Sequence, residues 1–230
     1  MKTLIRNLLI ACIAILFSSS VGAQNIRFGV FVDPQLSWFT SDTKKLTPNG
    51  PVFGVNSGFA FEKYFADRYA ITTGASVNFT GGNLKYNEPD FKIETRDSLY
   101  TIGTGASAKV KGQYISIPVG FKFKTNEIGY ATFYAQLGLT GNIRVKGYVW
   151  EDWNKIDKEV IVNEQLPLGY VAYYFGAGVE YSLGGPSAIQ VGLNFTNGLT
   201  SAFEVDHEKT TPSNGKITLG ALSLRLGMVF

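Results

Sequence analysis

From Gln24 to Phe230, apolar and polar residues alternate with period two in eight separate runs, and no segment carries the 3.6-residue period of an amphipathic helix. In an extended chain residues i and i+2 share a face, so each run reads as a strand with one apolar side. In the first, Ile26, Phe28, Val30, Val32, Leu36 and Trp38 oppose Arg27, Gly29, Asp33, Gln35 and Ser37. The last sets Leu222, Leu224, Leu226, Met228 and Phe230 against Ser223, Arg225 and Gly227. Six runs between them, starting at Phe53, Tyr69, Tyr114, Thr132, Val171 and Ile189, repeat the pattern.

A soluble sandwich also alternates. Two features separate the readings. Connections 65–68, 125–129 and 184–187 are tight, whereas 40–50, 81–112, 147–167 and 199–216 are long and polar, in strict alternation. Aromatics on the apolar face sort by height: Phe61, Tyr69, Phe123, Phe133, Tyr181 and Phe230 toward one end, Trp38, Phe53, Phe79, Tyr173 and Phe195 toward the other. Interfacial aromatic girdles around a lipid-facing band produce that sorting. The predicted fold is all-β: an eight-stranded antiparallel transmembrane β-barrel with short periplasmic turns and long extracellular loops. Ten strands are less suitable, because Asn83 to Lys92 is too polar to face lipid. That stretch is predicted to be an extracellular hairpin. Tyr148 to Val162 is predicted to extend its strands above the membrane.

Composition agrees. Only 17% of the residues are charged, against roughly 25% in soluble domains. Mean hydropathy of +0.05 is too low for a polytopic helical protein. The N-terminal residues read as an address. Lys2 and Arg6 precede an apolar run, Leu8 to Phe17, and Val21-Gly22-Ala23 offers a small-residue cleavage site. A signal peptide over 1–23 and a barrel over 24–230 are therefore expected. Leu9 to Cys12 loosely resembles a lipobox, but Ile10 is bulky and the apolar run continues past the cysteine. Cleavage would remove the one Cys, and with it disulfide chemistry. It would also remove Lys2 and Arg6, leaving 19 of the 21 basic residues against 18 acidic ones, so the charge gives no reason to expect nucleic acid.

The fourth strand, Tyr114-Ile115-Ser116-Ile117-Pro118-Val119-Gly120-Phe121-Lys122-Phe123-Lys124, resembles the Tyr-Leu-x-Ile-Pro strand of the PorT-like outer-membrane β-barrel family. Phe175 to Glu180 is similar to that family's glycine-rich sixth strand, and Asn197-Gly198-Leu199 to its exit from the seventh. The family often has Glu where this chain has Ser116. The resemblance implies a small outer-membrane barrel. The family's namesake is an accessory of a protein-secretion and surface-attachment system. The closing Leu224 to Phe230 resembles the C-terminal signal read by the barrel-insertion machinery, with Phe230 as its terminal aromatic.

Five charges fall on the inward face: Arg27, Glu62, Lys122, Glu180 and Arg225. An eight-stranded barrel is filled by its own side chains, and buried charges must pair. A lumen ion-pair network near the periplasmic half is predicted, acting as a structural plug. A narrow path for ions or small solutes is the alternative. Catalysis has little support. His207 lies in the last loop with Ser201, Glu204 and Asp206, and Lys209 occupies the place where a deacylase signature would have Ser. No Cys/His cluster points to zinc, and no metal or cofactor is expected. The outer loops carry Tyr86, Phe91, Tyr100, Tyr148, Trp150 and Trp153, candidate contacts for protein or lipopolysaccharide. The sequence thus predicts a non-enzymatic outer-membrane barrel with a structural or docking role, possible partners meeting its loops or periplasmic rim. A pore or a lipid A-modifying enzyme are the other readings.

Overall fold

The computed structural model describes residues 26–42, 44–87, 91–94, 99–151, 156–160, 167–202 and 216–230; the expected signal peptide lies outside them. Among the described residues there are twelve strands: β1 (Ile26–Ser41), β2 (Leu46–Pro48), β3 (Val52–Ala66), β4 (Tyr69–Tyr86), β5 (Phe91–Glu94), β6 (Leu99–Ile102), β7 (Ser107–Lys124), β8 (Ala131–Glu151), β9 (Ile156–Val160), β10 (Gly169–Ser182), β11 (Ala188–Gly198) and β12 (Ile217–Val229). Eight of these, β1, β3, β4, β7, β8, β10, β11 and β12, pair antiparallel in chain order. β12 returns to β1 and closes the wall.

The burial pattern is that of a membrane barrel. Val32, Leu139 and Leu193 are 51%, 52% and 57% exposed, while Asp33, Lys122 and Glu180 are 1%, 1% and 2% exposed. A soluble sandwich would invert both sets. Each alternating run forms its wall strand with the apolar row outward, where it meets lipid. The predicted girdle residues all lie on this outer face. The band between them is not purely aliphatic, however: Phe175 sits outward between Tyr173 and Tyr181, its ring centre 5.2 Å from that of Phe195 and tilted against it.

Wall strands run from 11 residues in β11 to 21 in β8, longer than the roughly 9–11 that cross a bilayer. The excess is concentrated at the outer end of β4, β7 and β8, whose pairing continues to Lys85↔Ser107 and Ala108↔Glu151. Much of 81–112 and 147–167 is therefore ladder, not open loop. The polar outward residues meet water there, while the inward row turns apolar at Leu84, Tyr86, Val110 and Val149, all at most 1% exposed. An apolar interior lets the wall continue beyond the membrane. β2 pairs the top of β4, β9 pairs the top of β8, and β5 with β6 forms a separate hairpin.

The other rim is short. β3 and β4 are joined through Asp67 and Arg68, and β10 reaches β11 through Gly184 and Gly185, whose φ of 93° and 65° lie where glycine is favoured. Phe230 is held by two backbone bonds: its N–H donates to the Phe28 carbonyl at 2.7 Å, and the Phe28 N–H donates to its carbonyl at 3.2 Å.

Candidate functional site: a lumen filled in three layers

The periplasmic layer is built around Lys122. β7 turns it inward among residues of β3, β8 and β10, and its ammonium donates to both Glu62 and Glu180. Glu180 also accepts from Arg27 at 3.0 Å and from Lys124 at 2.5 Å. The Tyr64 hydroxyl donates to Glu62 at 2.8 Å, and the Lys122 ammonium lies 4.7 Å from the centre of the Tyr134 ring. Arg27 further donates to the Pro186 carbonyl at 2.7 Å, tying the plug to the β10–β11 turn. Three cations and two carboxylates thus satisfy one another in a site whose central ammonium has no exposed side-chain surface. Removing water from such charges is tolerable only with this degree of pairing.

Arg225 does not join this cluster, contrary to the single network predicted. It makes a bidentate pair with Asp33 of β1, Nε to Oδ1 at 3.0 Å and Nη2 to Oδ2 at 2.7 Å. The Phe31 ring centre lies 4.0 Å from its guanidinium carbon. The reason is register: Arg225 faces Asp33 across the β12–β1 seam, whereas Glu180 has three cations already. Asp33 and Lys124 both sit on the inward parity, so the sequence held the signal for them. Tyr64, Tyr134 and Tyr174 also turn inward; the alternation alone does not single out these three. Tyr134 and Tyr174 fit because glycines face them. A methyl group on Gly178 or Gly192 would strike the Tyr134 hydroxyl, and one on Gly120 or Gly138 the Tyr174 hydroxyl.

The middle layer is neutral and polar. The Gln35 amide donates to Asn78 at 2.7 Å, Ser116 to Asn142 at 2.6 Å, and Gln136 to Asn194 at 2.8 Å. These residues border a cavity of about 90 Å³. Ser116 is one more hydroxyl in this neutral belt.

The outer layer is an apolar stopper. Phe39, Leu46, Leu84, Tyr86, Val110 and Ile217 belong to one buried cluster inside the raised wall, joined by Tyr114 and Tyr170 with ring centres 5.1 Å apart. Tyr86, a candidate extracellular contact by sequence, is 0% exposed and cannot serve as one. The β4 alternation simply continues past the membrane and carries it inside. Tyr148 and Trp150 lie on the outward face of β8, their ring centres 6.3 Å apart. Phe91 and Tyr100 belong to the β5–β6 hairpin; their side chains, like Trp153, fall outside the described part. His207, Glu204 and Asp206 do as well. Ser201 is engaged structurally: its hydroxyl donates to the Ile217 carbonyl at 3.2 Å and accepts from the Ile217 N–H at 3.2 Å.

A closed barrel with a lipid-facing exterior and a plugged polar lumen defines a small outer-membrane β-barrel protein. The sequence profile of the family described as outer membrane protein beta-barrel domain matches residues 22–204, and the chain belongs to that family. Solved structures resemble it in chain trace at low identity. Neisserial surface protein A is 11% identical, with a TM-score of 0.44, covering 88% of this chain and 95% of that one. Ail, the attachment invasion locus protein of Yersinia pestis, is 15% identical with a TM-score of 0.40, covering 90% and 99%. OprG of Pseudomonas aeruginosa is 10% identical with a TM-score of 0.44, covering 89% and 93%. No curated protein matches the chain in sequence.

Proposed function

We propose that this protein is a sealed, non-enzymatic barrel of the outer membrane that acts through its surfaces and not through its lumen. One observation carries the reading: the interior is stoppered twice, by the Lys122 ion cluster below and by the apolar cluster around Tyr86 and Leu84 above. A path for ions would have to cross a constriction built mainly of apolar side chains, where the hydroxyls of Tyr86, Tyr114 and Tyr170 are poor replacements for lost hydration. What remains for function is the raised wall of β4, β7 and β8 with its hairpins, and the periplasmic rim. Rigid hairpins carrying aromatics such as Trp150 suit docking. The PorT-like motif around Pro118 makes an accessory role beside a secretion assembly the first partner class to test. Signal-peptide removal after Ala23 belongs to the same reading.

The test is crosslinking in cells with a photoreactive residue at Trp150, repeated with that probe kept and the segment 152–160 replaced by a short turn. The docking reading expects a discrete protein adduct that disappears with the replacement. No adduct from Trp150 and from a second probe at the Asp67–Arg68 turn would contradict it.

A further inference from the structure

The outward face of the raised wall gathers four lysines on one arc. On β7 the outward row runs Ile115, Gln113, Lys111, Lys109. On β8 it continues past the apolar Ile143 and Val145 to Lys146, Tyr148 and Trp150, and on β4 it ends at Lys85, between the buried Leu84 and Tyr86. Register places these side by side: Lys111 faces Tyr148, Lys109 faces Trp150, and Gln113 faces Lys146. Same-face diagonal neighbours in such a ladder stand roughly 7 Å apart. Lys109, Lys111 and Lys146 therefore form one compact group, with Lys85 on the adjoining strand. Among the residues whose side chains are described, no carboxylate pairs with any of the four. On the opposite arc the outward residues are Thr40, Asn197 and Thr218, with the single lysine Lys216 beyond them, its ammonium donating to the Leu199 carbonyl.

Height matters as much as charge. Two residues along a tilted strand climb about 5 Å, so Lys111 is rooted about 10 Å above Ile115, the last lipid-facing aliphatic residue of β7. Its ammonium reaches back down to donate to the Phe53 carbonyl at 2.7 Å, and Phe53 belongs to the outer aromatic girdle. The charge is thus held at the level where lipid head groups meet the wall, the few ångströms between hydrocarbon and water. Lys109 stands one step higher, its ammonium 4.8 Å from the centre of the Trp150 ring. Lys109 and Lys111, two positions apart on one face of β7, repel each other, and an anion would relieve that repulsion.

We propose that this arc of β4, β7 and β8 is a binding site for a phosphorylated glycolipid of the outer leaflet. Lys109, Lys111 and Lys146 would meet its phosphates, Tyr148 and Trp150 its sugars, and the lipid-facing rows of β7 and β8 its acyl chains. Surrounding lipid supplies such a ligand at the height where these ammonium groups lie, with tails against the apolar rows directly below. A soluble polyanion arriving from outside would have no use for Lys111 turned down to the girdle. This surface role is independent of whether a protein docks on the hairpins.

The experiment is native mass spectrometry of the protein in mild detergent with added hexa-acylated lipid A carrying both phosphates. The same lipid without phosphates and the soluble polyanion sucrose octasulfate are the comparison probes. Wild type is expected to retain one lipid A molecule. In Lys109→Gln/Lys111→Gln/Lys146→Gln retention is expected to fall about tenfold, what losing two or three surface charge contacts of ordinary strength removes. Lys216→Gln, on the opposite side, is expected to behave as wild type. Heat-dependent gel migration shows that each variant is folded, and a double variant, Lys109→Gln/Lys146→Gln, replaces the triple if that one fails. Equal retention by folded variants, or equal retention of the dephosphorylated lipid, would overturn the proposal. So would tight binding of sucrose octasulfate with no lipid A retained, which would make the arc a receptor for external polyanions.

Discussion

Arg225 and Asp33 join the last strand of the barrel to the first at the one place where the ladder between them is interrupted. Paired positions run Val32↔Leu226 and then Gln35↔Ser223, with Asp33 and Pro34 unpaired between. Pro34 has no N–H to donate. The Asp33 carboxylate takes both Arg225 donors. A side chain thereby restores across the closing seam what proline removes from the backbone.

Removing one partner of that pair leaves the other charged inside the wall. Asp33→Asn or Arg225→Gln should each destabilise the barrel by about 3 kcal/mol or more, read from guanidinium unfolding in lipid vesicles. The double variant should lose less than the two single losses added together. Strict additivity would show that the two residues do not act as a pair.

The periplasmic plug should be ranked by burial. Lys122→Met leaves Glu62 and Glu180 buried against each other, and should cost about 3–5 kcal/mol. Arg27, whose side chain is 21% exposed, contributes one of several donors to Glu180, so Arg27→Gln should cost about 1 kcal/mol or less. The same unfolding assay checks both, and equal losses would contradict a network centred on Lys122.

Glycine opposite Tyr134 is required by space and not by backbone angle. Gly192→Ala should lose about 1–3 kcal/mol through overpacking, and Tyr134→Phe in the same chain should recover part of that loss, since the clash is with the hydroxyl. No recovery would place the strain elsewhere in the wall.

The outer stopper should exclude reagents as well as ions. Leu84→Cys should resist a membrane-impermeant thiol reagent on intact cells, while Tyr148→Cys, on the outer face of β8, should be labelled quickly. Rapid labelling at position 84 would mean that the apolar cluster is open to water.

Much of this was legible in the residues. Period-two alternation fixes which side of each strand meets lipid, and from it follow eight strands, the inward position of Lys122 and Glu180, and the outward position of Phe53. Pairing was not legible, because it depends on register. Arg225 sits on the correct face, yet its partner is settled by which residue lies opposite on β1, and that is Asp33. Tyr86 shows a different limit. Alternation continues unbroken above the membrane, but there it no longer separates lipid from lumen; it separates water from an apolar core. Polar composition marked the stretch as a hairpin above the membrane, but did not show that its inward half, Leu84, Tyr86, Ala108 and Val110, forms a buried core.

Single-channel recording in planar bilayers tests the doubly stoppered lumen most directly. Purified wild-type protein, shown to be inserted and folded, should give no conductance steps above the bare bilayer at moderate voltage and salt. Discrete, reproducible steps that change size in Lys122→Met or Leu84→Ala would contradict the account and make the lumen a pore.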